Sequence, residues 1–372
     1  MPQRRLVYIC DWLPPDYGAV GQYSDLFARQ MAEGGMSIVL GGLTTGSAAE
    51  THEAIDGGEI TTIKLAAESY EKSSLLKRLI WTALTNTRLL VRLRPHLSRA
   101  DDILFTGSPP LMLHWIAPLN LVLRKRLIYR ITDFHPECLM AAVPQPSTLL
   151  RLFYRLTLFW RRRIDEFEVL GDDQRVRLTE IGIPAERIRM KRDPSPVEIT
   201  PATKPLPRPD AARGKLLLLY SGNWGVAHDI ATFVEAYRRH HTTGSGRFVL
   251  WLNAVGAGAA RVEEKLREAG LPMIRGTPVP LDALASLLVT PDAHLITLSD
   301  PFVGFVLPSK VYGCVASGLP VLYIGSPQSD VHLLCAENST AGYERIDCGD
   351  AEGCAQALER LADFIEVKHG SA

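Results

Sequence analysis

Net charge is the first feature that the sequence lacks. Its 372 residues contain 41 Lys and Arg against 41 Asp and Glu, which gives a formal net charge of zero at pH 7. The overall charge therefore points neither to nucleic acid nor to a strongly acidic partner. We expect no nucleic acid among the ligands of this protein.

Paired cysteines and metal-binding clusters are missing as well. The six cysteines are scattered, with no close pair at the spacing of metal ligands, which excludes a cysteine-based zinc site. This pattern is typical of a reduced cytosolic protein without disulfides. No Asp-x-Asp triplet occurs either. We therefore predict a protein that uses no metal ion and no other cofactor.

Long apolar segments are also absent. No uninterrupted apolar run approaches the roughly 20 residues that cross a bilayer. The first residues lead directly into a short strand and do not form a signal peptide. The sequence therefore predicts a cytoplasmic protein.

The first half opens with the pattern of a βαβ unit. Residues 6–10 predict a buried strand, a loop rich in Pro and Gly follows, and residues 23–33 have helical spacing. Ligands bind in such folds at the loops that follow parallel strands. Gly18 and Gly21 would let a ligand approach the backbone of this loop, although simple turn chemistry explains them equally well.

Three segments of the first half are basic and apolar, and contain no acidic residue. They carry six, four and five Lys and Arg residues and span 75–99, 111–132 and 138–164. Basic amphipathic helices with aromatic residues favour an anionic membrane surface. Helices that pack on a sheet and extend their arginines to solvent give the same pattern. Because three such segments occur in one domain, we expect peripheral binding at the inner face of the plasma membrane.

One predicted strand ends in three titratable side chains. The strand covers 127–132, and Asp133, His135 and Glu137 follow it. A single histidine usually belongs to a core, but acidic neighbours at the end of a strand favour a functional role. We therefore predict Asp133, His135 and Glu137 as catalytic residues.

A proline-rich stretch divides the chain. Six prolines lie between Asp193 and Pro209, which is typical of a linker between domains. Two α/β domains of Rossmann type around this linker would face each other across a cleft, and the sequence leaves open whether the C-terminal helix packs back on the first domain. The predicted boundaries are 1–195 for the first domain, 196–213 for the linker, 214–350 for the second domain and 351–372 for the helix.

One helix start in the second domain has the residues of an anion site. Pro308 suits a first helical turn, and Ser309 and Lys310 follow it. Free backbone N–H groups and the helix dipole favour an anion at such a helix start, and Lys310 adds a full positive charge. On spacing alone, an ordinary helix with a solvated lysine is an equally good interpretation.

Short motifs then recur in an order that is typical of one enzyme family. With the loop at 14–23, they make the chain resemble the retaining family 4 glycosyltransferases (glycosyl transferases group 1) of bacterial surface-polysaccharide synthesis. The resemblance covers nearly the whole chain, is strongest over 215–335, and implies the GT-B fold. The motifs are Tyr220-Ser221-Gly222-Asn223-Trp224-Gly225, Val255-Gly256-Ala257-Gly258, Gly276-Thr277-Pro278-Val279-Pro280, Pro308-Ser309-Lys310 and Ala316-Ser317-Gly318-Leu319-Pro320.

The resemblance implies a reaction. A hexosyltransferase of this type moves a sugar from a nucleotide-sugar donor to a lipid-linked or saccharide acceptor in polysaccharide or lipopolysaccharide synthesis, with retention of configuration. Negative charge develops on the departing diphosphate, and Lys310 would stabilise it without a metal. By resemblance, His135 contacts the transferred sugar, and Asp133 or Glu137 orients the acceptor or His135.

The resemblance also implies a set of donor-binding residues. Within this set, the stretch from Arg275 to Val279 would line the pocket of the nucleotide base. The full set is Gly18, Gly21, Ser221, Gly222, Asn223, Gly256, Arg275, Thr277, Val279, Pro308, Ser309 and Lys310.

Two departures from the family pattern leave alternatives open. Many members have two glutamates eight residues apart where this chain has Phe305 and Gly313, and an Arg/Lys pair where it has Val226-Ala227-His228-Asp229. Lys310 would then carry more of the diphosphate charge. A nucleotide-sugar 2-epimerase of the same fold and an inactive nucleotide-sugar-binding subunit stay possible, because a fold does not determine a function.

Overall fold

The chain forms two compact units that separate after Arg192. Each unit is an α/β layer structure built on its own sheet. The structure is a computed structural model that describes residues 3–16, 19–68, 75–338 and 342–370, without the side chains of residues 75, 76 and 369.

The first unit is built on an eight-stranded sheet. Its strands are β1 (Arg5–Trp12), β2 (Ser37–Thr44), β3 (Ala49–Ile55), β4 (Gly58–Ala66), β5 (Asp102–Thr106), β6 (Arg126–Ile131), β7 (Glu166–Val169) and β8 (Ile188–Met190). They lie in the order β3-β4-β2-β1-β5-β6-β7-β8. All neighbours are parallel except β3 and β4, which form an antiparallel hairpin at one edge.

Six helices of the described residues accompany this sheet. They are α1 (Ala19–Glu33), α2 (Leu75–Leu97), α3 (Leu113–Leu123), α4 (Glu137–Ala141), α5 (Thr148–Arg161) and α6 (Asp172–Glu180). The apolar face of α1 buries Tyr23 and Phe27 against Tyr8 and Leu40 of the sheet. This packing fixes the βαβ opening that the sequence predicts.

The second unit has a six-stranded sheet in which all neighbours are parallel. Its strands are β9 (Leu216–Asn223), β10 (Phe248–Val255), β11 (Met273–Arg275), β12 (Ala293–Thr297), β13 (Val321–Ile324) and β14 (Tyr343–Ile346). They lie in the order β11-β10-β9-β12-β13-β14. The helices are α7 (Ala231–Thr242), α8 (Ala257–Glu268), α9 (Leu281–Leu288), α10 (Lys310–Ala316), α11 (Asp330–Glu337) and α12 (Ala351–Gly370).

The C-terminal helix α12 packs on α7 of the second unit. Glu359 of α12 accepts a hydrogen bond from buried His240 at 2.6 Å and pairs with Arg247 at 3.1 Å. Arg247 also binds Glu366 at 2.9 Å. These contacts make α12 part of the second unit's structure.

Two mostly parallel sheets with helices confirm the predicted α/β class. The hairpin β3–β4 and helix α6 were not predicted from the sequence. Ser221 to Asn223 of the first motif extend β9. The third basic segment, 138–164, lies largely on α4 and α5, with a break between them. The arrangement of the two units across a cleft stays a prediction.

Two arginines of the basic segments are not available to a membrane. Arg130 is buried and pairs with Glu168 at 2.9 Å, and Arg161 is fully buried in an ion pair with Glu137. Arg161 therefore does not meet the condition of exposure that a lipid-facing residue requires. Across the described part of the chain, no helix combines the length and the apolar character needed to cross a bilayer.

Strand order locates a crevice in each sheet. In the first sheet the chain moves from β1 to β2 on one side and later returns to β5 on the other side. In the second sheet it moves from β9 to β10 and later returns to β12. Ligands of parallel α/β sheets bind at such switch points, outside the carboxyl ends of the strands. The residues that follow β1, β5, β9 and β12 are therefore the first candidates for a site.

Candidate functional site

Lys310 lies at the switch point of the second sheet. Its Nζ is 3.3 Å from the centroid of the Tyr220 ring on β9 and has no hydrogen-bond partner among the described residues. Part of the Lys310 side chain reaches solvent, but Nζ itself is buried. This burial lowers the pKa of the Lys310 ammonium to about 7. A buried cation without a counter-ion is costly, and an anionic ligand would stabilise it.

The end of β9 lies beside this lysine. Gly222 has a φ of +103°, which favours glycine, and a Cβ at this position would lie 3.9 Å from Lys310 Cε. Gly222 and Asn223 are exposed, and Ser221 is half-buried. A Cβ at Gly256, which has a φ of +95°, would collide with Oδ1 of Asn223. The structure thus brings Gly222 next to Lys310, and Gly256 next to Asn223.

His228 is a neighbour of Lys310 that the sequence analysis did not assign to the site. Its Nδ1 donates to the carbonyl of Thr297 at 2.5 Å, and its ring lies edge-on to Tyr220. Burial and then the charge of Lys310 lower the pKa of His228 to about 3. The imidazole is therefore neutral at pH 7 and adds no charge to the site. The only indication of a role in the sequence is that His228 lies in the segment where many family members have an Arg/Lys pair.

Arg275 is held by the protein's own backbone. Its guanidinium donates to the carbonyls of Leu252 and Ala254 at 3.0 and 2.7 Å, and it pairs with Glu263 at 3.3 Å. The carbonyl of Thr277 accepts a hydrogen bond from Asn253 at 2.6 Å. These contacts attach the segment after β11 to the end of β10.

Val279 continues the same segment. It packs, partly buried, against a cluster that contains Trp251 and Leu287. The predicted lining of a base pocket is therefore present as a fixed loop, and its role in binding a nucleotide stays a prediction.

The segment before α10 is only partly what the sequence predicts. Pro308 is buried, Ser309 is exposed without a side-chain capping bond, and α10 contains seven residues. A Cβ at Gly313 would lie 2.9 Å from Cδ1 of Leu288. A side chain at position 313 would therefore require the Leu288 side chain to shift.

The acceptor-side candidates follow β6 of the first unit. His135 is exposed and Asp133 is half-buried. Burial raises the pKa of the Asp133 carboxyl, and the neighbouring His135 lowers it. Both residues follow the carboxyl end of β6. Because His135 is exposed there, a substrate could reach its imidazole.

Glu137 has a structural partner. Its carboxylate is buried and binds the guanidinium of Arg161 through two hydrogen bonds, one of them at 3.1 Å. Arg161 also donates to the carbonyl of His135 at 3.0 Å and lies over the ring of Phe134. Arg161 thus holds the backbone of His135. The same guanidinium occupies the carboxylate of Glu137, which is therefore not free to act as a catalytic group.

The glycine loop after β1 is described only in part. Gly18 lies outside the described residues. Gly21 is buried on α1, and a Cβ there would collide with the carbonyl of Trp12. Glycine at position 21 is therefore required for the close approach of α1 to β1.

No metal cluster was found at these edges. Within the described ranges, no group of three or more His, Cys, Asp or Glu side chains could hold a metal ion. The positive charge that the described site offers at its centre is that of Lys310.

Comparison with known proteins gives a consistent result for the fold. No protein-family model matches the chain. The chain is 28% identical over 127 residues to the putative colanic acid biosynthesis glycosyl transferase WcaI of Escherichia coli (strain K12). That match covers 34% of this chain and only 30% of the length of WcaI.

Solved structures match over almost the full chain. WaaG, a glycosyltransferase involved in lipopolysaccharide biosynthesis, superposes with a TM-score of 0.59 at 14% identity, over 97% of this chain and 93% of WaaG. A structure described as trehalose-6-phosphate from E. coli bound with UDP-2-fluoro glucose gives 0.61 at 12% identity, over 97% and 93%. At these identities the likeness shows the fold alone, and it confirms the predicted α/β fold with two sheets.

Proposed function

We propose that this chain, which has the GT-B fold and resembles the family 4 glycosyltransferases, transfers a hexose from a nucleotide-sugar donor to a lipid-linked or saccharide acceptor in bacterial surface-polysaccharide synthesis. The donor binds in the second unit, and the configuration of the sugar is retained. One relative named for colanic acid synthesis and one fold neighbour involved in lipopolysaccharide synthesis support this class of acceptor.

The observation that carries the proposal is the buried ammonium of Lys310, which has no hydrogen-bond partner among the described residues. It lies at the switch point of the second sheet, beside an exposed glycine that gives access to the backbone. A diphosphate would supply the missing counter-charge, and the ammonium would stabilise the charge that develops as the glycosidic bond breaks. The UDP-sugar analogue in a structure of the same fold makes a uridine nucleotide the first donor to test.

Lys310→Ala should remove this stabilisation. We expect a loss of about 2–4 kcal/mol in transition-state stabilisation, similar to the loss of one oxyanion donor. UDP binding, measured by titration calorimetry, should weaken in parallel. In the wild type, affinity should also fall as pH rises above about 7, because a deprotonated amine must first take up a proton. The variant should not show this pH dependence.

Lys265→Ala is the matched control, since Lys265 is an exposed lysine on α8 of the same unit. It should bind UDP like the wild type. Near-normal turnover and UDP binding in a folded Lys310→Ala protein would contradict the diphosphate assignment.

We propose the segment after β6 as the acceptor side. His135 contacts the transferred sugar, and Asp133 orients the acceptor or the imidazole. The exposure of His135 and its place at the carboxyl end of β6 support these roles. Glu137 acts through Arg161, as a positioning residue for the backbone of His135.

We also propose that α5 attaches the protein to an anionic membrane surface on the cytoplasmic side. Its inner face packs on α3 through Phe153 and His114. A second face presents an exposed apolar stripe: Leu149, Leu152, Leu156 and Phe159. Beside this stripe lie three exposed arginines that form no ion pair with a described residue: Arg151, Arg155 and Arg162. An apolar stripe flanked by cations is the pattern of a helix at a lipid interface.

A further inference from the structure

A groove lies in the first unit between helix α2 and the ends of β2 and β4. Two cavities form it, with volumes of about 670 and 520 Å³, and they adjoin each other because both are lined by Leu65, Ala66 and Arg88. Leu65 and Ala66 end β4, and Arg88 lies on α2. None of its described lining residues belongs to the donor-side or acceptor-side residues named above. The groove is therefore a site without an assigned ligand.

The inner end of this groove has the chemistry that a sugar ring requires. Trp81 lines it, and the ring centroid of Trp81 lies 6.3 Å from that of Trp12, the last residue of β1. A hydrogen bond from Nε1 of Trp81 to the carbonyl of Glu68 at 2.9 Å holds the indole in place. Thr45 and Thr85 add hydroxyl groups to the same lining. An aromatic surface with hydrogen-bonding groups suits a sugar, and Trp12 brings this end close to the switch point of the first sheet.

Arg88 places a positive charge midway along the groove. Its side chain is exposed and forms no ion pair with a described residue. Arg92, one turn further along α2, also lines the groove, but Glu50 binds it at 2.7 Å. The exposed acid in the described lining is Glu68, which lies at the inner end. A guanidinium without a counter-charge binds phosphate through parallel hydrogen bonds, so the middle of the groove favours a phosphate.

The outer end of the groove is apolar. Leu84 and Val91 of α2 line it on the same helix face as Arg88, and their side chains are 57% and 65% exposed. Thr87, at this end, accepts a hydrogen bond from Trp115 of α3 at 3.1 Å. Helix α3 packs on α5, the helix proposed above to contact the membrane. An apolar chain in the outer end would therefore run beside the helices nearest to that surface.

We propose that this groove binds a lipid-linked acceptor through its phosphate and the first part of its lipid chain. The chemistry along the groove has the order of such a molecule: a sugar at Trp81, a phosphate at Arg88 and an apolar chain at Val91. Ten helical residues separate Trp81 from Val91, about 15 Å, which accommodates these three parts. The inference rests on the proposed transferase function and deepens it, because it selects a lipid phosphate over a free saccharide as the acceptor.

The binding test uses octyl phosphate, a soluble molecule that has a phosphate and a short chain but presents no membrane surface. Calorimetry on the full chain, with excess UDP to occupy the donor site, compares it with inorganic phosphate and octanol. Octyl phosphate should bind at least about 10-fold more tightly than either, because only it contacts both parts of the groove. Arg88→Gln should weaken its binding about 10-fold, and Val91→Asp should do the same by placing a charge beside the chain.

Two exposed positions outside the described lining provide matched controls. Arg94→Gln removes an arginine from another face of α2, and Val122→Asp adds a charge to α3. Both should bind octyl phosphate within about twofold of the wild type. Because all four substituted side chains are exposed, the variants should keep the unfolding temperature of the wild type.

Transfer from labelled UDP-glucose or UDP-galactose to a membrane extract gives the second measurement. Arg88→Gln should raise the amount of extract needed for half-maximal transfer about 10-fold, and should leave the maximal rate and UDP binding within about twofold.

The outcomes separate the groove from the transferase function. Failure of the wild type to bind octyl phosphate, equal binding by Arg88→Gln, or equal affinity for inorganic phosphate would overturn the inference, and sugar transfer by the wild type would then still support the proposed function. Octyl phosphate binding with the expected dependence on Arg88 and Val91, but no sugar transfer, would support the groove and contradict the transferase function.

Discussion

Charged side chains at the carboxyl ends of the two sheets differ in whether a partner holds them. Glu137 and Arg161 neutralise each other in the interior, while Lys310 Nζ and Asp11 Oδ1 are buried without a hydrogen-bond partner among the described residues. Stability favours the first arrangement and disfavours the second. Unpaired buried groups of this kind cluster at functional sites because a ligand supplies what the fold does not.

Glu137→Gln tests the structural role of the buried pair. The change leaves the guanidinium of Arg161 buried without its counter-charge, which typically costs about 3–5 kcal/mol. Denaturant unfolding should show a loss of this size, and turnover should fall because Arg161 no longer holds the carbonyl of His135 firmly. Arg162→Gln is the control: Arg162 is adjacent and exposed, so its loss should change stability by less than about 0.5 kcal/mol. An unchanged unfolding free energy in Glu137→Gln would refute this role.

Residue types at one helix start and at one strand end were enough to find Lys310 and His135 as candidates. They could not separate a free side chain from a paired one. Glu137 looks catalytic in sequence because its partner, Arg161, lies 24 positions further along the chain. Asp11 gave no indication, because a lone aspartate beside a loop rich in Pro and Gly is common, and only the burial of its Oδ1 at the end of β1 makes it unusual.

Elements with a clear apolar pattern were predictable, and elements without one were not. The strands β1, β9 and β10 are nearly continuous apolar runs, as expected for buried parallel strands. By contrast, β3 has no buried residue, and α6 is polar over most of its length. Neither shows the periodicity on which a prediction depends.

The prediction for a single element is that helix α5 binds an anionic membrane surface. Replacing Arg151, Arg155 and Arg162 by Gln should weaken binding to anionic vesicles about 100-fold at low salt, since each cation near such a surface contributes about 1 kcal/mol. Vesicle sedimentation measures this. Salt should release the wild type, because it screens exposed charges beyond about 8–10 Å.

A matched control uses three basic residues of α8 in the second unit. Replacing Arg261, Lys265 and Arg267 by Gln removes the same charge, and it should leave vesicle binding unchanged. Equal binding of the wild type to neutral and anionic vesicles, or binding to neither, would mean that the arginines of α5 do not serve a membrane.

At the scale of the whole molecule, the two units repeat one plan. Each has a mostly parallel sheet whose strand order reverses at its first strand. Near each reversal one buried atom of a charged side chain has no hydrogen-bond partner among the described residues: Asp11 Oδ1 in the first unit and Lys310 Nζ in the second. A cation near the leaving diphosphate is one charge that sugar transfer uses, and Lys310 would supply it. The fold comparisons extend over both units.

The central claim is that the chain transfers a sugar, and a single incubation tests it most directly. Purified protein is mixed with labelled UDP-glucose or UDP-galactose and a bacterial membrane extract, and the label is followed into lipid, saccharide and nucleotide fractions. The account predicts label in the lipid or saccharide fraction, at a rate that Lys310→Ala reduces strongly. Label that stays on the nucleotide as an isomerised sugar, or nucleotide binding without turnover of any donor in a wider panel, would contradict it.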